Sequence, residues 1–191
     1  GEEIMAVKQT AFNPTPHRHL LEDVIGANQA IYGDEGRTEP PICEMQYAGT
    51  FSAANATDVA MGAGWVAVQD NATMFFAAEA GGIGSGYARI RIPQDGRYDI
   101  EWQYYIDGIG TTTCSASVLK DSATVTSGSL INAQGAGNGW AAPMAKGTKY
   151  LTAGTFLYFW LWHNAGSAKT VHGAWFGGSR SHATVRWVSA V

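Results

Sequence analysis

The chain has 191 residues, a formal net charge of -4 and 15% charged residues, with seven Trp and eight Tyr. Soluble domains carry about 25% charged residues, so so few charges beside so many aromatics predict that another subunit covers part of the surface. The absence of a basic block argues against nucleic acid as a partner, and two distant cysteines, Cys43 and Cys114, are too few for a disulfide framework or a metal knuckle and read as buried thiols.

One domain plus an appendage suits this length, and the character of the chain changes near residue 42. Residues 1–42 read as an extended N-terminal arm. Its opening, GEEIMAVKQTAF, lacks the basic flank and apolar core of a signal peptide, so the chain is expected to be soluble and made in the cytosol. After Asn-Pro-Thr-Pro at 13–16, Leu20, Leu21, Val24, Ile25 and Ile31 fall roughly on one helical stripe. Gly26 weakens that helix by about 1 kcal/mol relative to Ala, and one short helix cannot form a core alone. His17 and His19 point to the same side of an extended chain. Copies meeting on a threefold axis would offer enough imidazoles for an octahedral transition metal; the plainer reading is a solvated docking arm. No other cofactor is expected.

From Cys43 to Val191 the pattern is β. Strands are expected at about 43–52, 64–69 and 72–78. In the next segment Ala88, Ile90 and Ile92 alternate with Tyr87, Arg89 and Arg91. Asp95-Gly96 then allows a tight reversal. Beyond it Tyr98, Ile100, Trp102, Tyr104 and Ile106 alternate with Asp99, Glu101, Gln103 and Asp107, a strand with one wet face. Further strands are expected at 113–120, 123–126, 149–152, 155–163, 170–176 and 182–190. The stretches EAGGIGSG and NAQGAGNGW read as glycine-rich loops. Many short strands with Gly/Asn turns predict an all-β, antiparallel sandwich of the jelly-roll type.

The segment TFLYFWLW is apolar on both strand faces. It is far shorter than the roughly 20 residues of a spanning helix, so no membrane insertion is expected, and both faces need cover from protein. Leu157, Phe159 and Leu161 have the mix of a sandwich interior. Phe156, Tyr158, Trp160 and Trp162 are left for a subunit interface, where aromatics contribute large buried areas.

Nothing assembles into a catalytic set. Ser85 is outside a G-x-S-x-G elbow. His182, beside Ser179 and Ser181, has no identifiable third partner and reads as a loop leading into the last strand. The glycine strings match no dinucleotide or phosphate loop, and Asp99 with Glu101 reads as a solvated strand face rather than a glycosidase pair. Asn55 and Asn71 begin glycosylation sequons of a kind that arises by chance.

RIRIPQDGRYDIEWQYYIDG, YLTAGTFLYFWLWHNAG and the ending SHATVRWVSAV resemble successive signatures of the tumour-necrosis-factor-like jelly roll, in the branch that includes complement globular heads. The resemblance covers about residues 43–191. Thr155 departs from it, standing where that family usually has Asp; the reversal is expected to survive the change. TPHRHLLEDVIGANQ resembles a His-x-His segment of bacteriophage tail fibres and other virion appendages, matched here by His17, His19, Asp23, Val24 and Gly26.

Together these resemblances imply a non-enzymatic virion surface protein: a homotrimer assembled in the host cytoplasm, with the major capsid or a tail protein as partner. His17, His19, Leu20, Leu21, Val24 and Ile25 of the arm would attach it. An arm of this length reaches roughly 130 Å when extended, and the chain contains no long shaft, which favours capsid decoration. The alternatives are a receptor- or carbohydrate-binding head of a tail fibre, suggested by loop aromatics such as Trp140 and Trp175, with a host-surface glycan as partner, and a secreted trimeric signalling or adhesion head.

Overall fold

Among the described residues all regular structure is β-strand. A computed structural model describes residues 39–47, 49–78, 86–121, 129–137, 139–173 and 181–190, which belong to one compact unit, Glu39–Val191. The expected arm helix, with His17, His19, Leu20, Leu21, Val24 and Ile25, lies outside the described residues, as do Ser85, Trp175, Ser179 and the strand expected at 123–126.

In chain order the strands are β1 (Ile42–Tyr47), β2 (Thr50–Ala53), β3 (Val59–Ala60), β4 (Trp65–Asp70), β5 (Phe75–Phe76), β6 (Arg89–Arg91), β7 (Gly96–Gln103) and β8 (Tyr105–Asp107). They continue with β9 (Thr113–Lys120), β10 (Ile131–Ala136), β11 (Trp140–Ala141), β12 (Met144–Leu151), β13 (Phe156–His163), β14 (Lys169–His172) and β15 (His182–Ser189). A five-stranded sheet has the order β12-β7-β15-β1-β4, and a six-stranded sheet the order β10-β9-β13-β6-β5, with β3 added on β13. A four-stranded sheet, β11-β8-β14-β2, completes the fold. All the pairings are antiparallel, as the alternating pattern requires.

Two expected reversals turn out to change sheets. Pro-Gln-Asp-Gly carries the chain from β6 in the six-stranded sheet to β7 in the five-stranded one, and Thr-Ala-Gly-Thr carries it from β12 to β13. Gly96 is required by space: a Cβ there would lie 2.3 Å from Trp187 Nε1 and 2.7 Å from the Ser189 carbonyl oxygen. At the second turn Gly154 has a φ of 85°. Thr155 donates its backbone N–H to the Thr152 carbonyl, and its hydroxyl lies 3.2 Å from that of Thr152, so the turn forms without Asp.

Other departures come from tertiary contacts. The strand expected at 43–52 is two strands in different sheets, and β7 and β8 break at Tyr104. NAQGAGNGW was expected to be a loop, yet its first half belongs to β10, paired with β9 from Ile131↔Val118 to Ala136↔Thr113. Small residues there admit a close neighbour: a Cβ on Gly135 would stand 3.2 Å from Pro143 Cβ.

The sandwich interior takes Tyr98, Ile100 and Trp102 from β7, Val185 and Trp187 from β15, and Leu157, Phe159 and Leu161 from β13, all buried. Cys43 and Cys114 are buried and unpaired, as expected. The second face of β13 is largely covered within the chain. Tyr158 and Trp160 are only 8% and 7% exposed in the single chain, because Leu119, Ala60, Tyr87 and Phe156 pack around them. Phe156 in turn meets the Phe76 ring at 5.7 Å and the Arg89 guanidinium at 5.2 Å. Phe156, Tyr158, Trp160 and Trp162 were expected at the subunit interface, but the two central rings have little surface left to give a neighbour. Their cover is intramolecular.

Leu161→Ala should therefore cost about 2–5 kcal/mol by opening a cavity, measured by chemical unfolding. Trp160→Glu should lower the melting temperature of the chain itself. A Trp160→Glu protein with unchanged melting but altered sedimentation would return this strand to the interface.

Candidate functional site on the five-stranded sheet

Alternation sends Tyr98, Ile100 and Trp102 of β7 inward and Arg97, Asp99, Glu101 and Gln103 outward. Register then assembles the outward face into cross-strand rows. One row runs Met144, Gln103, His182, Gln46, Val66; the next runs Lys146, Glu101, Thr184, Glu44, Gln69; a third joins Thr148, Asp99, Arg186 and Ile42. Tyr150 lies opposite Arg97 on β12. A bulge between Glu44 and Met45 makes Val68 the extra residue of β4.

Glu101 is the hub of the polar centre. Lys146 Nζ donates to Glu101 Oε2 at 2.8 Å, and His182 Nε2 lies 3.0 Å from Glu101 Oε1. The Thr148 hydroxyl donates to Asp99. Asp99, Glu101, Lys146, Thr184 and Arg186 line a shallow cleft of about 180 Å³. The hydrogen bond from Lys146, followed by that from His182, holds the Glu101 carboxyl below its ordinary value. Asp99 and Glu101 share the outward, partly wet face of β7, as the alternation of the sequence anticipates. The same hydrogen bond, donated to Glu101, raises the Lys146 ammonium.

The rim of this face is apolar. Of the six large hydrophobic side chains left exposed among the described residues, five lie on it: Val66, Val68, Met144, Tyr150 and Val188. Val66 and Val68 occupy the β4 edge, while Met144 and Tyr150 occupy the β12 edge. Sequence reading missed these residues. Their one visible signal was the alternation of Met144, Lys146, Thr148 and Tyr150, which the intervening Gly147 obscured.

Ser181 and His182 are turned to different partners. Ser181 is buried; its hydroxyl donates to the His172 carbonyl at 2.6 Å and accepts from the Tyr105 N–H at 2.9 Å. His182 faces Glu101 instead. Burial pushes the thiols of Cys43 and Cys114 up, away from the thiolate. Asn71 uses both ends of its amide within the fold, donating to the Pro40 carbonyl and accepting from the Ile42 N–H.

Because the folded-state value of Glu101 is lowered, the native chain binds fewer protons than the unfolded one just below the ordinary Glu value. The contribution is complete above that value, about 4.3, and disappears as pH falls through the lowered one. Partial exposure keeps it small. Urea unfolding of the wild type should show this acid-side slope, and Glu101→Gln should flatten it.

No protein-family model and no curated protein matches the chain. Its fold, however, is similar to solved structures. Eiger TNF from S. frugiperda matches with a TM-score of 0.56 at 10% identity, over 80% of this chain and 95% of that one. Murine APRIL at pH 5.0 matches with a TM-score of 0.51 at 15% identity, over 78% of this chain and 100% of that one. Murine APRIL at pH 8.0 gives 0.52 at 12% identity, covering 78% and 98%. At such identities the likeness concerns architecture. The described chain is an all-β antiparallel sandwich with the tumour-necrosis-factor-like jelly-roll fold.

Proposed function

We propose that the chain is a non-enzymatic head that assembles as a homotrimer through the outward face of its five-stranded sheet and decorates the surface of a bacteriophage virion. The observation that carries the assembly is the placement of Val66 and Val68 on one edge of that face and of Met144 and Tyr150 on the other. Across five strands these edges stand about 19 Å apart. A twofold contact needs one self-complementary patch, whereas a ring needs two different patches that meet head to tail. Two separated apolar edges suit the ring. The polar centre then faces the axis, where Glu101, Lys146, His182 and Arg186 can exchange partners between subunits.

The particle reading is supported by the His17–His19–Asp23–Gly26 segment and its resemblance to virion appendages. The arm would hold the head on a capsid or tail protein, and in the trimer His17 and His19 would hold a transition metal. A non-enzymatic role is supported by the engagement of Ser181 and His182 with different partners. The second reading, a receptor-binding head, is favoured by the exposed Trp140, on which the half-buried Tyr105 stacks.

Val68→Lys combined with Tyr150→Lys should leave the fold intact and convert a trimer to monomers in sedimentation analysis, since both side chains are about half exposed. A variant pair that remains trimeric would move the interface elsewhere. Deleting residues 1–38 should preserve the folded head, because the ties of Pro40, Pro41 and Ile42 to Asn71 and Trp187 are kept. The shortened chain should no longer co-sediment with particles. If it still does, attachment lies on the jelly roll.

A further inference from the structure

The four-stranded sheet β11-β8-β14-β2 has one face in the core and one open. Ala141, Ile106, Val171 and Ala53 are buried beneath it. Their strand neighbours turn outward, and the register Trp140↔Asp107, Ile106↔Val171 and Thr170↔Ser52 aligns Trp140, Asp107, Thr170 and Ser52 in one cross-strand row. Every member of that row is exposed. At about 4.8 Å per strand the row spans about 14 Å, long enough for a short oligosaccharide.

Trp140 keeps 51% of its surface exposed. It is nevertheless held in orientation, because the Tyr105 ring stacks on it at 6.4 Å and 21° from parallel. Asp107, directly opposite Trp140, is oriented by the Gly108 N–H, which donates to its Oδ1 at 2.6 Å. An ionised carboxylate has further acceptor sites, and the Thr170 and Ser52 hydroxyls both donate and accept. This composition differs from that of the five-stranded face. The row has no aliphatic member, so little in it resembles the apolar core of a protein interface.

A pyranose ring fits both halves of the row. Its C–H face is apolar and matches a fixed indole, while its hydroxyls are donors that a carboxylate and two neighbouring hydroxyls satisfy. The charged member of the row is Asp107, with the Lys169 ammonium beside Gly108 next to it, so the row offers no excess positive charge to phosphorylated, sulfated or sialylated glycans. We propose that the row Trp140, Asp107, Thr170 and Ser52, with Tyr105 supporting the indole, is a binding subsite for neutral oligosaccharides. The proposal deepens the receptor-binding reading and rests on it for biological use, while the chemistry of the row is independent of subunit assembly and particle attachment.

The test is titration of the full chain with neutral di- to tetrasaccharides built on glucose, galactose, mannose and N-acetylglucosamine, followed by calorimetry and tryptophan fluorescence. Saturable binding of at least one series is expected, with a fluorescence change. Trp140→Ala should weaken it by about tenfold or more and abolish the fluorescence change, and Asp107→Asn should weaken it by several-fold. Trp140→Phe should restore part of the affinity, which separates loss of the platform from damage to the fold; unchanged thermal unfolding of all three variants checks the same point. Absence of binding to every neutral series overturns the proposal, as does binding that Trp140→Ala leaves unchanged. Preference for an anionic oligosaccharide of the same length overturns the assignment of charge. Neutral-saccharide binding without adsorption to a host surface would keep the subsite and reject the receptor-binding reading.

Discussion

The two main sheets are joined at Trp102. Its indole comes from β7 in the five-stranded sheet and packs against Phe159 of β13 in the six-stranded sheet, with ring centroids 5.8 Å apart. On its own side it meets Trp65 at 5.3 Å and Tyr104 at 5.8 Å. Such a ring brings a polar N–H into an apolar interior, where an unmade hydrogen bond costs about 1–3 kcal/mol. Trp102 avoids that cost by donating to the Trp160 carbonyl across the sandwich at 2.7 Å. One side chain thus supplies both apolar contact and a directional tie between layers. Tyr104 repeats the device, sharing its hydroxyl donor between the Ser115 and Trp162 carbonyls. Burial pushes that phenol up, so it remains a donor.

Those ties also explain why β7 and β8 part company. Tyr104 must reach into the six-stranded sheet, and the chain that follows it pairs with β11 and β14 instead of continuing beside β12 and β15. Ser181 closes the gap, since its hydroxyl receives the Tyr105 N–H and binds back to His172. Nearby, the buried His163 ring bridges the Ala53 carbonyl through Nε2 and the Ala165 N–H through Nδ1. The end of the sandwich is therefore held by hydrogen bonds from buried polar groups as much as by apolar packing, as buried polar atoms require.

Among the described residues, two open sheet faces differ in chemistry. One combines ion pairs with apolar edges, a composition suited to contact with copies of itself. The other carries a fixed indole beside a carboxylate and hydroxyls. Neither face competes with the other, because β7 and β8 belong to different sheets. The proposed assembly and the proposed recognition would then occupy separate surfaces.

Much of the architecture was legible in the sequence. The alternation of Tyr98 through Ile106 set inside against outside on β7 and β8, and the double-sided apolar run 156–162 required cover on both faces, because strand geometry has a period of two whatever its neighbours. What covers that run was not legible. Ala60, Tyr87 and Leu119 are distant in sequence, and nothing local marks them as a lid over Tyr158 and Trp160. The same holds for both candidate surfaces. Alternation places Glu101 and Asp107 outward, yet only pairing across strands puts Lys146 and His182 beside the first and Trp140 beside the second. Local periodicity is written in the order of residues, whereas register and sheet order arise from contacts between segments far apart in the chain, and those are decided only when the whole sandwich closes.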